Sequence, residues 1–557
     1  MRARLSLFDS PLQPGDLRSD VVAGLTTAIM LIPQGMAYAL LAGLDPIIGL
    51  YASTLPVAVY ALLGSSRQLA VGPVAMVSLL VASGVGAIAG DDAGTFLALA
   101  AVLALMIGVV QWGMGAARLG ALVRFLSHPV VSGFTAAAAL IIGLSQLGNL
   151  LGVSLQRSHH VHEILLQAAQ HASSADPTTV AISLLSVVTL VVLKRHAPRA
   201  PRFLLVVVGG SLAVWGLSLE STGVSIVGDV PGGLPMPKVP DASLSEVVAL
   251  LPIAVTISLV SFMESISVAR SVARASGDAV DANRELKALG LANVAAGFFQ
   301  GYPVTGGFSR TAVNVQAGAK SRLAGLITAA AVALTLLFLT PLLYFLPRAA
   351  LSAIILTAVL GLIDVKEVRH LWQVSRPDLA MMGLTFGATL TLGIEQGILI
   401  GILASLAWFV WNSSAPYVAV LGRLPGTNTW RSLDRNPTAE PTPGMVILRI
   451  DGPLFFASTA HLLSVVEASV SAETERLVLE MSGVGRVDAQ GLSVVERLRD
   501  RMRGQGGTLV LIGARGPIRD ALQAAHLDSC LGTLESVTSD LPTPQRGMGS
   551  PSQRRWS

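Results

Sequence analysis

The sequence is poor in charge, in cysteine and in every motif that marks an enzyme. Only 13% of its 557 residues are Asp, Glu, Lys or Arg, about half the share of a soluble globular protein. With 52% hydrophobic residues and a mean hydropathy of +0.65, most of the chain cannot face water. Cys530 is the single cysteine, which excludes an intramolecular disulfide framework and a cysteine-based metal cluster. No phosphate-binding glycine loop, metal set or nucleophile triad occurs, so a non-enzyme without a cofactor is expected. His159, His160 and His162 form one metal-like cluster, but only Glu163 lies close and no second pair of ligands is visible. The net charge of +4 sits in basic loops that carry topology and does not suggest nucleic acid.

What is present is a succession of apolar runs from Val21 to Trp411, each near the roughly 20 residues that a bilayer crossing needs. The first follows Arg2, Arg4, Arg18 and Asp20, lacks a small-residue cleavage site and leads at once into further spans, which predicts a retained helix. Basic clusters recur at Arg67, Arg118/Arg124, Lys194/Arg195/Arg199/Arg202, Arg270/Arg274/Arg284/Lys287, Lys320/Arg322 and Lys366/Arg369/Arg376, whereas the alternate connections are acidic or near neutral. The basic turns are cytoplasmic by the positive-inside rule, and counting crossings between them predicts fourteen membrane segments with both ends inside. The expected setting is a cell membrane, a bacterial inner membrane in the first instance, with lipid around the bundle. Glu395, near the outer start of the last span, reads as an interface residue.

Residues 1–415 are thus expected to form a polytopic α-helical membrane domain. Prolines and glycines from Pro416 to Pro443 suggest a polar linker over 416–444. From Met445, apolar runs suited to strands (445–450, 476–481, 508–513) alternate with helix-period segments (458–471, 488–504, 517–527), which predicts a small soluble α/β domain over 445–539. The aperiodic stretch 540–557 reads as a disordered tail.

Two apolar stretches are interrupted. Gly72-Pro73-Val74-Ala75 and Gly301-Tyr302-Pro303-Val304-Thr305-Gly306-Gly307-Phe308-Ser309-Arg310 each place glycine and proline before a short helical run, with Pro73 and Ser309 suited to opening those half helices. Pro73 lies 39 residues after Gln34 and Ser309 lies 45 residues after Glu264, in segments that enter the membrane from opposite sides, which predicts an inverted repeat. A half helix carries unpaired amides and about half a positive charge at its N-terminus, so two aimed at one spot make an anion site. Gly72, Gly306 and Gly307 would let backbone approach the ligand and Arg310 would add a cation, while Gln34 and Tyr38 share one helix face and can meet the ligand. Glu264 lies inside a membrane helix about two turns before Arg270; a carboxylate at that depth is functional by default. Its bland alternative is a structural pairing with Arg270 or Arg310.

These residues resemble the SulP family of sulfate permeases and related anion transporters. The carrying motifs are Ala23-Gly24-Leu25-Thr26, Ile32-Pro33-Gln34-Gly35-Met36-Ala37-Tyr38-Ala39, Gly49-Leu50-Tyr51-Ala52-Ser53, Gly64-Ser65-Ser66-Arg67, Gly72-Pro73-Val74-Ala75, Met263-Glu264-Ser265-Ile266 and Gly307-Phe308-Ser309-Arg310-Thr311-Ala312-Val313-Asn314. The resemblance covers nearly the whole chain. It implies two intertwined seven-helix repeats moving as an elevator, a homodimer and a C-terminal STAS domain. It also implies an anion held by Gln34, Tyr38, the helix opening at Pro73-Val74-Ala75 and the helix opening at Gly307-Phe308-Ser309-Arg310, with Glu264 coupling a proton or sodium. One departure concerns the loop before the second STAS helix, which reads Asp488-Ala489-Gln490-Gly491 where related anti-sigma-factor antagonists carry a phosphorylatable serine; Gln490 cannot accept a phosphoryl group. The expected function is secondary transport of a small anion, sulfate or bicarbonate first. The rivals are a nucleobase permease of the same fold and a membrane-anchored regulator working through its STAS domain.

Overall fold

A helix rises about 1.5 Å per residue, so a bilayer core about 30 Å thick sorts the helices of this chain by length. The computed structural model describes residues 16–90, 92–120, 127–155, 161–197, 200–427 and 429–533, without the side chains of 275, 276, 394 and 395. Among the described residues nine helices are long and apolar enough to cross a membrane, from Asp16–Ala42 to Gln396–Ser414. Five shorter ones, Ala75–Ala89, Arg202–Leu217, Ala282–Phe298, Phe308–Gln316 and Arg376–Leu392, fill the intervals. Together they make the fourteen segments that the loop charges predict.

Local chemistry sets the helix ends. Ser243 and Glu246 close a capping box on Leu244–Ser276, and Gly277 ends that helix at φ +74°. Asp176 and Asp281 accept backbone N–H bonds at the starts of Pro177–His196 and Ala282–Phe298. Asp20, buried in the first helix, accepts from the Lys320 and Ser321 amides at 2.7 and 3.0 Å, tying the start of one repeat to a turn of the other. A continuous core of buried hydrophobic side chains runs through the bundle from Ala28 to Ile398.

The chain divides into two compact units, Met1–Ser405 and Leu406–Ser557. The division falls inside the last apolar helix, Ile394–Ser414, which is largely unburied.

In the first unit, β1 (Val71–Gly72) pairs antiparallel with β2 (Thr305–Gly306), so the two interruptions cross. The second unit holds a five-stranded sheet: β3 (Tyr417–Arg423), β4 (Trp430–Ser432), β5 (Met445–Asp451), β6 (Arg476–Glu480) and β7 (Thr508–Ile512), in the order β4-β3-β5-β6-β7. Strands β5, β6 and β7 are parallel and joined through helices Thr459–Ser469 and Ala489–Gly504. The expected linker 416–444 is therefore corrected: it supplies β3 and β4. Val418 and Val420 face the helix-covered core while Ala419 and Leu421 face the other side of the sheet, so β3 is apolar on both faces and shows no alternation. The expected tail 540–557 lies outside the described residues.

Candidate functional site

The short pairing of Val71 with Gly306 and of Gly72 with Thr305 brings two helix starts to one place. The first half helix runs Ala75–Ala89 with Val74 as its N-cap; the second runs Phe308–Gln316 with Gly307 as its N-cap. Neither N-cap side chain accepts a hydrogen bond from the helix, so both starts keep the polarity of unpaired amides. This corrects the expectation for Pro73 and Ser309. Pro73 stands before the cap, and Ser309 is an exposed second residue of its helix beside the exposed Phe308.

Arg310 is the largest fully buried side chain among the described residues, 1% exposed. Its Nη1 donates to the carbonyl oxygen of Pro73 at 2.7 Å, so a cation of the second half helix is bound to the lead-in of the first. Gly307 makes room for it, since a Cβ there would lie 2.7 Å from Nη2. A Cβ on Gly72, at φ +155°, would lie 3.5 Å from the same nitrogen. The glycines expected to admit a ligand thus first admit the guanidinium, and Gly306 abuts Leu69. Nε and Nη2 of Arg310 have no partner.

Two more buried residues carry unpaired polar atoms. Gln34 is fully buried, and neither its Oε1 nor its Nε2 has a partner. It lies one turn from Leu31, whose methyl packs toward Gly72, and one turn from the buried Tyr38. Glu264 leaves Oε2 buried without a partner, and neither expected pairing, with Arg270 or with Arg310, is made among the described residues. Tyr38, Glu264 and Tyr302 lie within electrostatic reach of Arg310. Buried polar atoms in proteins are nearly always satisfied, so five unsatisfied ones on Gln34, Glu264 and Arg310 call for a partner from outside the chain.

Sequence reasoning missed the residues that hold this arrangement. The Tyr302 hydroxyl shares a 2.9 Å hydrogen bond with Ser78 of the first half helix. Thr305 donates to the Ser261 carbonyl at 2.7 Å, and the Gly306 amide donates to Ser265 at 2.8 Å; both serines flank Glu264 on one helix. On the other strand, the Ala70 amide donates to Thr311 at 3.0 Å and the Gly307 amide to Ala70 at 3.0 Å. The serine at every third or fourth position from Ser258 to Ser265 is the one signal that could have found part of this network.

His159, His160 and the Glu395 side chain lie outside the described residues. Among those described, no group of His, Cys, Asp and Glu could hold a metal ion. In the soluble unit, Asp488 caps Ala489–Gly504 by accepting from the Gly491 amide at 2.8 Å, and Gln490 is exposed.

The profile of the sulfate permease family matches residues 17–385, and that of the STAS domain matches residues 436–540. Similar proteins include sulfate transporter 4.1, chloroplastic, of Arabidopsis thaliana, 41% identical over 86% of this chain and 72% of that one. A probable sulfate transporter of Mycobacterium tuberculosis is 37% identical over 95% of this chain and 94% of its own. Among solved structures, the murine solute carrier 26 family member A9 anion transporter in its inward-facing state superposes with a TM-score of 0.89 over 95% of this chain and 91% of that one, at 24% identity. The transmembrane domain of a cyanobacterial bicarbonate transporter does so with 0.60 over 71% of this chain and 98% of that one, at 22% identity. The likeness in sequence spans both units, and the chain, a multi-pass membrane protein and not an enzyme, belongs to the sulfate permease family of anion transporters.

Proposed function

We propose that the chain is a secondary active transporter of a small oxyanion, sulfate ahead of bicarbonate, bound where the two half helices start. The observation that carries this is Arg310, fully buried with Nε and Nη2 unpartnered at the crossing of β1 and β2. A buried guanidinium with two nitrogens left unpaired carries a desolvation cost that an anionic ligand offsets. One guanidinium and two helix starts of about half a charge each supply about two positive charges, which suits a dianion. The Gln34 carboxamide adds a donor and an acceptor, and Tyr38 is buried one turn further along the same helix. Phe308 and Ser309, both exposed, stand at the mouth of the second half helix, and Pro73, Val74 and Ala75 at that of the first.

Glu264 is the coupling group in this reading. A negative carboxylate beside Arg310 competes with the anion for the same cation, so neutralising it, by a proton first or by sodium, favours loading. The names of the relatives favour sulfate. The crossing of two inverted half helices fits an elevator in which the site travels as one body; the basic turns favour a cell membrane with both ends on its cytoplasmic side, and assembly as a homodimer rests on the family resemblance alone. A nucleobase permease has no use for a buried guanidinium. Uptake of labelled sulfate and bicarbonate into proteoliposomes, with imposed proton or sodium gradients, tests the reading. Sulfate accumulation driven by either gradient supports it, and uptake of neither anion overturns it.

A further inference from the structure

We propose that helix Ala282–Phe298 is the positioning element of the anion site: Glu285 and Asn293 on it hold the two chain segments that deliver β1 and β2, and so set where both half-helix starts stand. This inference rests on the transport reading above.

Both residues are fully buried and eight positions apart, about 12 Å of helix. Glu285 serves the first segment. It accepts from the Ser65 amide at 2.7 Å, the Ser65 hydroxyl at 2.6 Å, the Ser66 amide at 2.9 Å and the Tyr60 hydroxyl at 2.7 Å. Four donors converge, and a carboxylate is the side chain that only accepts. Ser66 then accepts from the Leu69 amide at 3.2 Å, two residues before β1. Asn293 serves the second segment. Its Oδ1 accepts from the Val304 amide at 2.7 Å and its Nδ2 donates to the Val304 carbonyl at 3.1 Å. Reading one residue's N–H and C=O together needs a group that both accepts and donates, as a carboxamide does. Val304 is the residue before β2.

The element that carries these two grips is itself fixed. A Cβ on Gly290 would lie 2.6 Å from the Trp112 amide nitrogen and 2.7 Å from the Gly108 carbonyl oxygen, so the helix packs backbone to backbone against Ala93–Ala116. From that neighbour Gln111 accepts from Asn293 Nδ2 at 3.0 Å and donates to the Ser261 hydroxyl at 2.9 Å, three residues before Glu264. Glu285 and Asn293 touch none of the groups assigned to the anion; they act through backbone position, where small displacements carry large costs in binding.

The test uses the purified full-length chain, with sulfate binding read by calorimetry, sulfate uptake in proteoliposomes and a melting curve. Asn293→Ala and Glu285→Ala should each raise the sulfate KM and Kd about tenfold or more per folded molecule, with kcat changed far less. Glu285→Gln keeps an acceptor at the Ser65 and Ser66 amides and should recover most of the loss. Asn293→Ser, which keeps an acceptor for the Val304 amide, should fall between wild type and Asn293→Ala and provides the reading should the alanine variant not fold. If the folded variants only melt earlier, with sulfate KM within about twofold of wild type, the helix merely packs and the proposal is overturned. A wild-type chain that neither binds nor transports sulfate is a separate result, which overturns the transport reading and this inference with it.

Discussion

Two carboxylates on membrane helices are treated in opposite ways. Glu285 is fully buried and accepts four hydrogen bonds from Tyr60, Ser65 and Ser66. Glu264 leaves a buried oxygen with no partner. Two buried arginines repeat the contrast. Arg322 donates to the Leu62 and Gly64 carbonyls at 3.2 and 2.8 Å, whereas Arg310 makes one hydrogen bond and leaves Nε and Nη2 unused. Burial by itself does not distinguish a scaffold from a site. What distinguishes them is whether the chain supplies the partners: a group it satisfies holds structure, and a group it leaves open is kept for something that comes and goes.

The largest effect should come from the open cation. Arg310→Ala should weaken sulfate binding on the order of a hundredfold or more, yet leave the melting temperature of the ligand-free protein nearly unchanged, since it removes a buried guanidinium with two unpartnered nitrogens. Calorimetry checks the binding half and a melting curve the stability half; sulfate binding that survives Arg310→Ala would place Arg310 with Arg322 among the scaffold groups. At the open carboxylate, Glu264→Gln keeps size and hydrogen bonding but removes the charge. Sulfate binding should persist while gradient-driven accumulation in proteoliposomes is lost, and a glutamine variant that still concentrates sulfate would make Glu264 structural.

A smaller and opposite pair of effects sharpens the contrast. Glu285→Ala strands the Ser65 and Ser66 amides and the Tyr60 hydroxyl, at about 1–3 kcal/mol for each left buried and unpaired, so the melting temperature should fall clearly. Gln34→Ala strands nothing within the chain and should leave it unchanged while raising the sulfate Kd about tenfold. Equal melting temperatures for the two variants would erase the distinction. The smallest effect is expected in the soluble unit, where Gln490 is exposed at a helix start capped by Asp488. Gln490→Ala should leave sulfate uptake within about twofold of wild type; a larger change would show that this loop regulates the transporter.

Much of the architecture is legible along the chain. Loop charge and apolar length predict the fourteen segments, and the spacing of strand and helix runs places β5, β6 and β7 within a residue or two of where they stand. The Gly/Pro breaks mark both half helices, because glycine and proline act through local backbone geometry. Strands β3 and β4 read as a linker instead, since β3 is buried on both faces and prolines and glycines flank it. Local preference also misplaces the caps at Pro73 and Ser309 by a residue or two: the pairing of β1 with β2 decides where each helix begins.

The sequence by itself determined that this chain spans a membrane many times, that two of its segments are broken, that an arginine follows one break and that a carboxamide and a carboxylate lie inside spans. Hydrophobic length and local backbone preference are properties of neighbours along the chain, so they can be read there. Which polar residues are satisfied was decided by the tertiary structure alone. Glu285 meets Tyr60 across 225 positions and Arg310 meets Pro73 across 237. A hydrogen bond depends on atoms a few ångströms apart in space, and in the unfolded chain nothing in Glu264 or Glu285 says which of the two will find its partners within the protein.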